Sequence, residues 1–422
     1  MIDIQEIMNR FPPMKTGNEL ISTLEVLPEY DENICNDNEA TRLIALSNLY
    51  RIFIPSPMST EIYCKLYLAL LHSLQKKCTK TAIKQRYENH KRITQQAYNG
   101  IIGGADSFTI IGCSGIGKTS SINRAISVIT EHRIIEIKEP YMKIIPCLTV
   151  QCPFDSSVKG LLLEILRKVD EELNSNYYQY AVKSRTATTD MLIGLVSSVA
   201  LNHIGLLIID EIQNVVNSKN GKNLVGMLTQ LINNSGISIG LIGTPEVSAY
   251  LEQGMQLARR SLGLQYGAIG YDKYFYDFCR KVLSYRYVKQ RYDISDAMIQ
   301  WLYEHSGGVI SVVVSLVHDA QELAILNGKE TINIEILNEA YQKRLSLLHA
   351  YIKPQIRKNA SKIEKSRFSI EEINAENVNQ DIPSITTIAK RSKKTHETKT
   401  NRKTNHLPRR GRKSNQRRPC KA

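Results

Sequence analysis

Residues 107–119 read Ser-Phe-Thr-Ile-Ile-Gly-Cys-Ser-Gly-Ile-Gly-Lys-Thr, and their reading decides the fold. An apolar run of strand character, Phe108 to Ile111, ends in Gly112-Cys113-Ser114-Gly115-Ile116-Gly117-Lys118-Thr119, which fits the pattern G-x-x-x-x-G-K-[S/T] without a mismatch. The spacing has a physical cause. Glycines at 112, 115 and 117 let backbone N–H groups turn inward around a polyphosphate, and the helix that follows offers its positive N-terminal end. Residues Gly112 to Ser120 are therefore expected to cradle a nucleotide, with Lys118 reaching the β- and γ-phosphates and the Thr119 hydroxyl ligating Mg2+.

A second stretch, Gly205-Leu-Leu-Ile-Ile-Asp-Glu-Ile-Gln213, reads as a buried strand that delivers two carboxylates at its end. Ligands of open α/β sheets sit outside the carboxyl ends of the strands, which puts Asp210 on the metal side and makes Glu211 the candidate general base toward a water facing the γ-phosphate. Paired with the P-loop, it points to ATP hydrolysis with Mg2+ as cofactor. A further strand, Ser238 to Ile242, ends in Gly243-Thr244-Pro245-Glu246. Thr244 is placed to sense the γ-phosphate or the attacking water, and it also suits a helix N-cap ahead of Pro245. Beyond it, Arg259 or Arg260 is a candidate finger toward a neighbouring subunit's nucleotide.

The rest of the 422-residue chain is arranged around this unit. Residues 1–98 are expected to form a mostly helical extension, in which Glu61 to Gln75 shows helical periodicity after Pro55 and Pro57. Lys76, Lys77, Lys80, Lys84, Arg86, Lys91 and Arg92 then form a basic helical stretch, suited either to a phosphate backbone or to a solvated face. Residues 99–268 read as the α/β nucleotide-binding subdomain with a parallel sheet, 269–352 as an all-helical lid, and 353–422 as a disordered basic tail. The net charge of +14 belongs almost wholly to that tail, since from Lys390 onward fourteen Lys and Arg face the single acid Glu397. Such an arm suits nucleic acid, an acidic partner, or solubility alone.

No stretch approaches the roughly 18–20 apolar residues of a membrane span. The N-terminus, MIDIQEIMNR, has no charged start followed by an apolar core, and the eight cysteines show no zinc-site spacing. A cytoplasmic location with reduced thiols and no membrane partner is expected.

Taken together, these motifs and the helical lid resemble the AAA+ ATPases. Within them the chain is similar to the TnsC/TniB transposition regulators, in LLIIDEIQN, LIGTPE, QLARRSLG and WLYEHSGG followed by SLVHDAQELAIL. The resemblance spans roughly residues 35–350. It implies ATP-dependent assembly of a homo-oligomer, ring or helical filament, on double-stranded DNA, linking a target-selection protein to transposase subunits. It also implies nucleotide roles for Lys118, Thr119, Asp210, Glu211 and Thr244, the trans finger at Arg259 or Arg260, and DNA contacts at Ser157 and Lys159, with Lys183 and Arg185 as weaker ones. One departure is that Gly307-Gly308-Val309-Ile310-Ser311 offers no sensor arginine, which implies slow hydrolysis. A helicase-loader or replication-initiator ATPase shares the same core, and a signalling NTPase scaffold without DNA binding is the reading from a different class.

Overall fold

The computed structural model describes residues 9–92, 107–130, 134–138, 141–183, 188–215, 221–248, 261–346 and 349. Its centre is a six-stranded sheet built from β1 (Ser107–Gly112), β2 (Ile135–Lys138), β3 (Tyr141–Gln151), β4 (Ile204–Asp210), β5 (Ser238–Gly243) and β6 (Ser261–Tyr266), in the order β2-β3-β4-β5-β1-β6. Only β2 runs antiparallel, with Ile137 opposite Met142 on β3. The others are parallel neighbours, Gln151 beside Asp210 and Ile110 beside Ile242. β2 and β6 were not legible as strands in the sequence. β2 is four residues long, and β6 (SLGLQY) mixes Gly and polar residues at the sheet's edge.

Strand alternation sends side chains to two opposed cores. On β4, Leu206 and Ile208 face one, and Leu207 and Ile209 face the other. The first core is closed by α1 (Gly17–Leu24), α3 (Pro57–Lys77) and α5 (Lys118–Ile129). The second is closed by α6 (Val158–Leu173), α8 (Thr189–His203) and α9 (Gly221–Ser235). The result is a three-layer α/β core with the strand ends β1, β5 and β4 adjacent at its carboxyl edge. A third core joins α10 (Lys273–Ser284), α11 (Asp296–Ser306), α12 (Ile310–Leu326) and α13 (Ile334–Arg344) to Leu46, Leu49 and Ile52. Among the described residues no helix is long and apolar enough to cross a membrane.

The N-terminal residues thus pack against both the sheet and the helical cluster. Pro57 opens a helix instead of merely interrupting one: it occupies the first position of α3. The Ser56 hydroxyl there accepts from Ser59 N–H at 3.2 Å while the Ser59 side chain returns to Ser56 N–H. Arg42, on α2 (Glu39–Ala45), reaches Glu330 with both terminal nitrogens, at 2.7 and 2.8 Å.

The basic stretch from Lys76 onward is not a phosphate track or a solvated face at Lys77 and Arg86. Lys77 is 1% exposed and its ammonium donates to the carbonyls of Ala200 and Leu201 at 2.5 and 2.9 Å, the second shared with Arg86 of α4 (Lys80–Arg92) at 3.2 Å. These carbonyls lie in the last turn of α8 just before β4, at the helix's negative pole, where Ala200 O also accepts from Ile204 N–H. Burial pushes the Lys77 ammonium far below the ordinary lysine range, with Arg86 adding to the shift.

His203 closes the same corner. Its Nδ1 lies 2.9 Å from Lys143 O and its Nε2 3.1 Å from Tyr177 Oη, a pairing that suits the neutral ring. Burial holds its pKa below the ordinary 6.5, and Lys77 and Arg86 lower it further. The unfolded chain therefore binds the proton first. Stability is full above 6.5 and is lost as pH falls from there toward the lowered folded value. Melting curves of His203→Gln are expected to fall less steeply with acid over this window than those of the parent chain; parallel curves would sink the assignment.

Candidate nucleotide site

The loop from β1 to α5 turns tightly at the carboxyl edge of the sheet. Gly117 caps α5 at φ 95°, a left-handed geometry that L side chains resist, and a Cβ there would enter open space inside the cleft. Lys118 bends over this turn, its Nζ donating to the carbonyls of Gly112 and Cys113 at 2.6 and 2.8 Å. Burial lowers its pKa, and Asp210 is the leading group that opposes the shift.

Thr119 and Asp210 meet across the sheet, Thr119 Oγ1 donating to Asp210 Oδ2 at 3.2 Å. The other carboxylate oxygen of Asp210 accepts from Glu211 N–H at 2.8 Å. Glu211 itself sits at φ 58°, in the left-handed region, and its carboxylate accepts from Gln213 Nε2. At the end of β5 the Thr244 carbonyl accepts from Val247 N–H at 3.1 Å. Its hydroxyl is buried without a hydrogen bond of normal geometry, so it does not cap, although it lies near enough to hold the Glu246 carboxylate below its usual range.

These groups form one wall of a cleft of about 370 Å³ that includes Ser114 to Ser121, Asp210, Glu211, Gln213 and Thr244. The sequence reading missed another, largely apolar part of the lining, which converges from three segments: Tyr50 and Ile52 to Ile54, then Tyr274 and Phe278, then Ile310 and Val314. A signal for it was present in Ile52-Phe53-Ile54-Pro55, a short β-branched and aromatic run bounded by proline. The Phe53 backbone is spent on Val26, exchanging both hydrogen bonds at 2.9 and 2.8 Å. By strand alternation, Ile52 C=O and Ile54 N–H face the other way. Tyr274 Oη fixes this segment by donating to Ile54 O at 2.9 Å.

The start of α12 also docks on the phosphate loop. Ser311 N–H donates to Gly115 O at 3.0 Å, and a Cβ on Gly115 would lie 2.3 Å from Ser311 Oγ. The segment in which the sequence showed no sensor arginine therefore meets the loop through its backbone.

The donor set fits a nucleotide with its metal. A hydroxyl and a carboxylate 3.2 Å apart supply hard oxygen ligands of the kind Mg2+ takes, the Lys118 ammonium supplies a positive charge for phosphate, and the buried Thr244 hydroxyl is left over for a further polar group. Of the other site residues read from sequence, Ser157 caps α6, its Oγ accepting from Gly160 N–H at 3.1 Å. Lys159 and Lys183 are exposed, at the start of α6 and the end of α7 (Tyr177–Lys183). Arg185, Arg259 and Arg260 lie outside the described residues.

Residues 102–251 match the family described as AAA domain. No curated protein matches the chain in sequence. Among solved structures, the chain is similar to the Orc1 protein of Aeropyrum pernix in complex with DNA, at 11% identity and a TM-score of 0.40, covering 63% of this chain and 65% of that one. It is similar also to Cdc6p from Pyrobaculum aerophilum, at 10% identity and a TM-score of 0.40, covering 62% and 66%. Domain III of the replication initiation protein DnaA from Thermotoga maritima matches at 16% identity and a TM-score of 0.34, covering 65% of this chain and 94% of that domain. The chain thus spans less than two thirds of the length of the first two, and residue roles rest on its own geometry.

Proposed function

We propose that this chain is an ATP-hydrolysing, DNA-binding regulator of transposition that assembles as an oligomer on duplex DNA and links a target-selection protein to the transposase. The observation that carries the enzymatic half is the Lys118, Thr119, Asp210 and Glu211 constellation at the carboxyl ends of β1 and β4, which flank β5, opening into one cleft. Lys118 would leave its two carbonyls for the β- and γ-phosphates, and Thr119 and Asp210 would hold Mg2+. When bound, that ion supplies charge neutralisation across the phosphate oxygens. Glu211 would take the proton of the attacking water, Thr244 would orient the water or γ-phosphate, and Arg259 or Arg260 would act on the neighbouring subunit's nucleotide.

The apolar wall supports adenine as the base. Ile54 N–H and Ile52 C=O offer a donor and an acceptor on one side of an extended segment, matching the ring N1 acceptor and the exocyclic amine of adenine. Guanine presents the reverse pattern there. Calorimetry is expected to give tighter binding of ATP than of GTP, and Ile54→Pro, which removes the donor, is expected to weaken ATP by about tenfold, one ordinary hydrogen bond. Equal affinity for the two nucleotides would overturn the base assignment.

The ordered motif set, from LLIIDEIQN through QLARRSLG to the WLYEHSGG segment, supports transposition as the process. ATP bridging adjacent subunits would favour the DNA-bound oligomer, and hydrolysis would dismantle it. Ser157, Lys159, Lys183 and Arg185 would contact the phosphate backbone, which gives weak sequence preference and steep salt dependence. Pull-down from source cells decides the process: recovery of a transposase supports this reading, and recovery of a replicative helicase instead supports a loader.

A further inference from the structure

Ser56, Ser59 and Ser121 line the cleft yet have no part in the phosphate, metal or base contacts. All three are buried. Ser59 Oγ lies 2.9 Å from Ser121 Oγ and 3.1 Å from Ser56 Oγ, so the hydroxyls form a row from α5 to the start of α3. Capping of α3 accounts for the exchange between Ser56 and Ser59, but not for Ser121. A helical serine commonly returns its hydroxyl to a carbonyl one turn back. Ser121 pairs its own with Ser59 on another helix, while its N–H stays on Gly117 O at 2.9 Å. A buried hydroxyl is costly and serine is a poorer helix former than alanine, so Ser121 is a liability to α5 that the link to α3 offsets.

The row has a direction. Each hydroxyl has one proton to give. Two links among three hydroxyls therefore leave one proton over, at one end. The Ser56 end has a taker for it. Tyr274 of α10 spends its own proton on Ile54 O at 2.9 Å, which leaves the phenol oxygen as an acceptor. Burial pushes the Tyr274 phenol up, and the Ser56 hydroxyl opposes that shift as a donor. The row then runs from Ser121 through Ser59, Ser56 and Tyr274 to the Ile54 carbonyl. It begins in the first turn of the helix that follows the phosphate loop and ends on the segment read as the base contact. Apolar packing is non-directional and lets surfaces slide, whereas hydrogen bonds fix distances.

We propose that Ser56, Ser59 and Ser121 are positioning residues that hold the 52–54 segment at a fixed spacing from the phosphate loop, so that the base and the triphosphate of one nucleotide reinforce each other's binding. The inference rests on the base and phosphate readings above. A ligand that touches one end gains nothing from the spacing. A nucleotide touches both, and a preset spacing removes the ordering cost of bringing the second end into place.

The test uses the full chain with Ser59→Ala, Ser121→Ala and the double variant. Binding of ATP, adenosine and inorganic tripolyphosphate is measured, together with amide hydrogen exchange of the ligand-free chain. Ser59→Ala is expected to weaken ATP by about tenfold, one net hydrogen bond, while adenosine and tripolyphosphate stay within about twofold of the parent chain. The double variant is expected to bind ATP no worse than the weaker single one, because both substitutions cut the same row. Ser121→Ala leaves the cap of α3 intact, and exchange at 52–56 is nevertheless expected to speed up. Unchanged ATP affinity, equal weakening of all three ligands, or additive losses in the double variant overturn the positioning role. A parent chain that binds ATP no more tightly than tripolyphosphate refutes the base reading separately. Unchanged exchange at 52–56 in Ser121→Ala then refutes the row by itself.

Discussion

Glu211→Gln is expected to lower ATP turnover by about 10²- to 10⁴-fold, the range a positioned general base contributes, while leaving ATP affinity near that of the parent chain. The separation follows from where the atoms lie. In the proposed reading phosphate and metal would be held by Lys118, Thr119 and Asp210, and the Glu211 side chain makes no hydrogen bond to any of them; its carboxylate meets Gln213. The substitution keeps shape and removes only the basic carboxylate. If assembly on DNA depends on bound ATP, the variant should also stay on DNA after ATP is added, where the parent chain dissociates. Turnover within tenfold of the parent would remove Glu211 from the chemistry.

Arg42→Ala is expected to destabilise the folded chain by about 3–5 kcal/mol, the cost of stripping one partner from a buried ion pair. Arg42 is 2% exposed and donates to both oxygens of Glu330 and to Tyr287 O at 3.0 Å. The same contact lowers the Glu330 pKa, chiefly through the Arg42 hydrogen bonds. Removing the guanidinium leaves that carboxylate with only the Lys289 N–H at 3.2 Å and empties a site in the core shared by residues 46–52 and the four C-terminal helices. Urea unfolding measures the loss. Arg42→Met paired with Glu330→Gln should recover much of it, because no uncompensated charge then remains. A loss below about 1 kcal/mol would match an exposed pair instead.

The nucleotide loop and the carboxylate strand were legible in the sequence because each is set by consecutive residues. A glycine-rich turn between strand and helix, and an apolar run ending in Asp210-Glu211, need no tertiary information to be seen. The apolar wall was illegible for the opposite reason. Ile52 lies more than two hundred residues before Tyr274 and Val314, and they meet only where the N-terminal segment packs on the helical cluster. Lys77 and Arg86 misled because a basic residue in a helical run reads as solvated, while here each caps a helix end that the sequence does not place beside it. Gln213 follows the motif directly, yet its meeting with the Glu211 carboxylate comes with a left-handed turn at Glu211 that residue type does not announce.

The central claim is that nucleotide in this cleft governs binding to DNA, and the direct test is fluorescence anisotropy of a labelled random-sequence duplex with the full chain and with Lys118→Ala. With a non-hydrolysable ATP analogue, the parent chain is expected to bind cooperatively, weakening steeply as salt rises, and to bind poorly with ADP or without nucleotide. Lys118→Ala is expected to bind poorly in every case. Equal binding by both chains, indifferent to nucleotide, would contradict the account and leave DNA contact to the basic residues beyond Lys390.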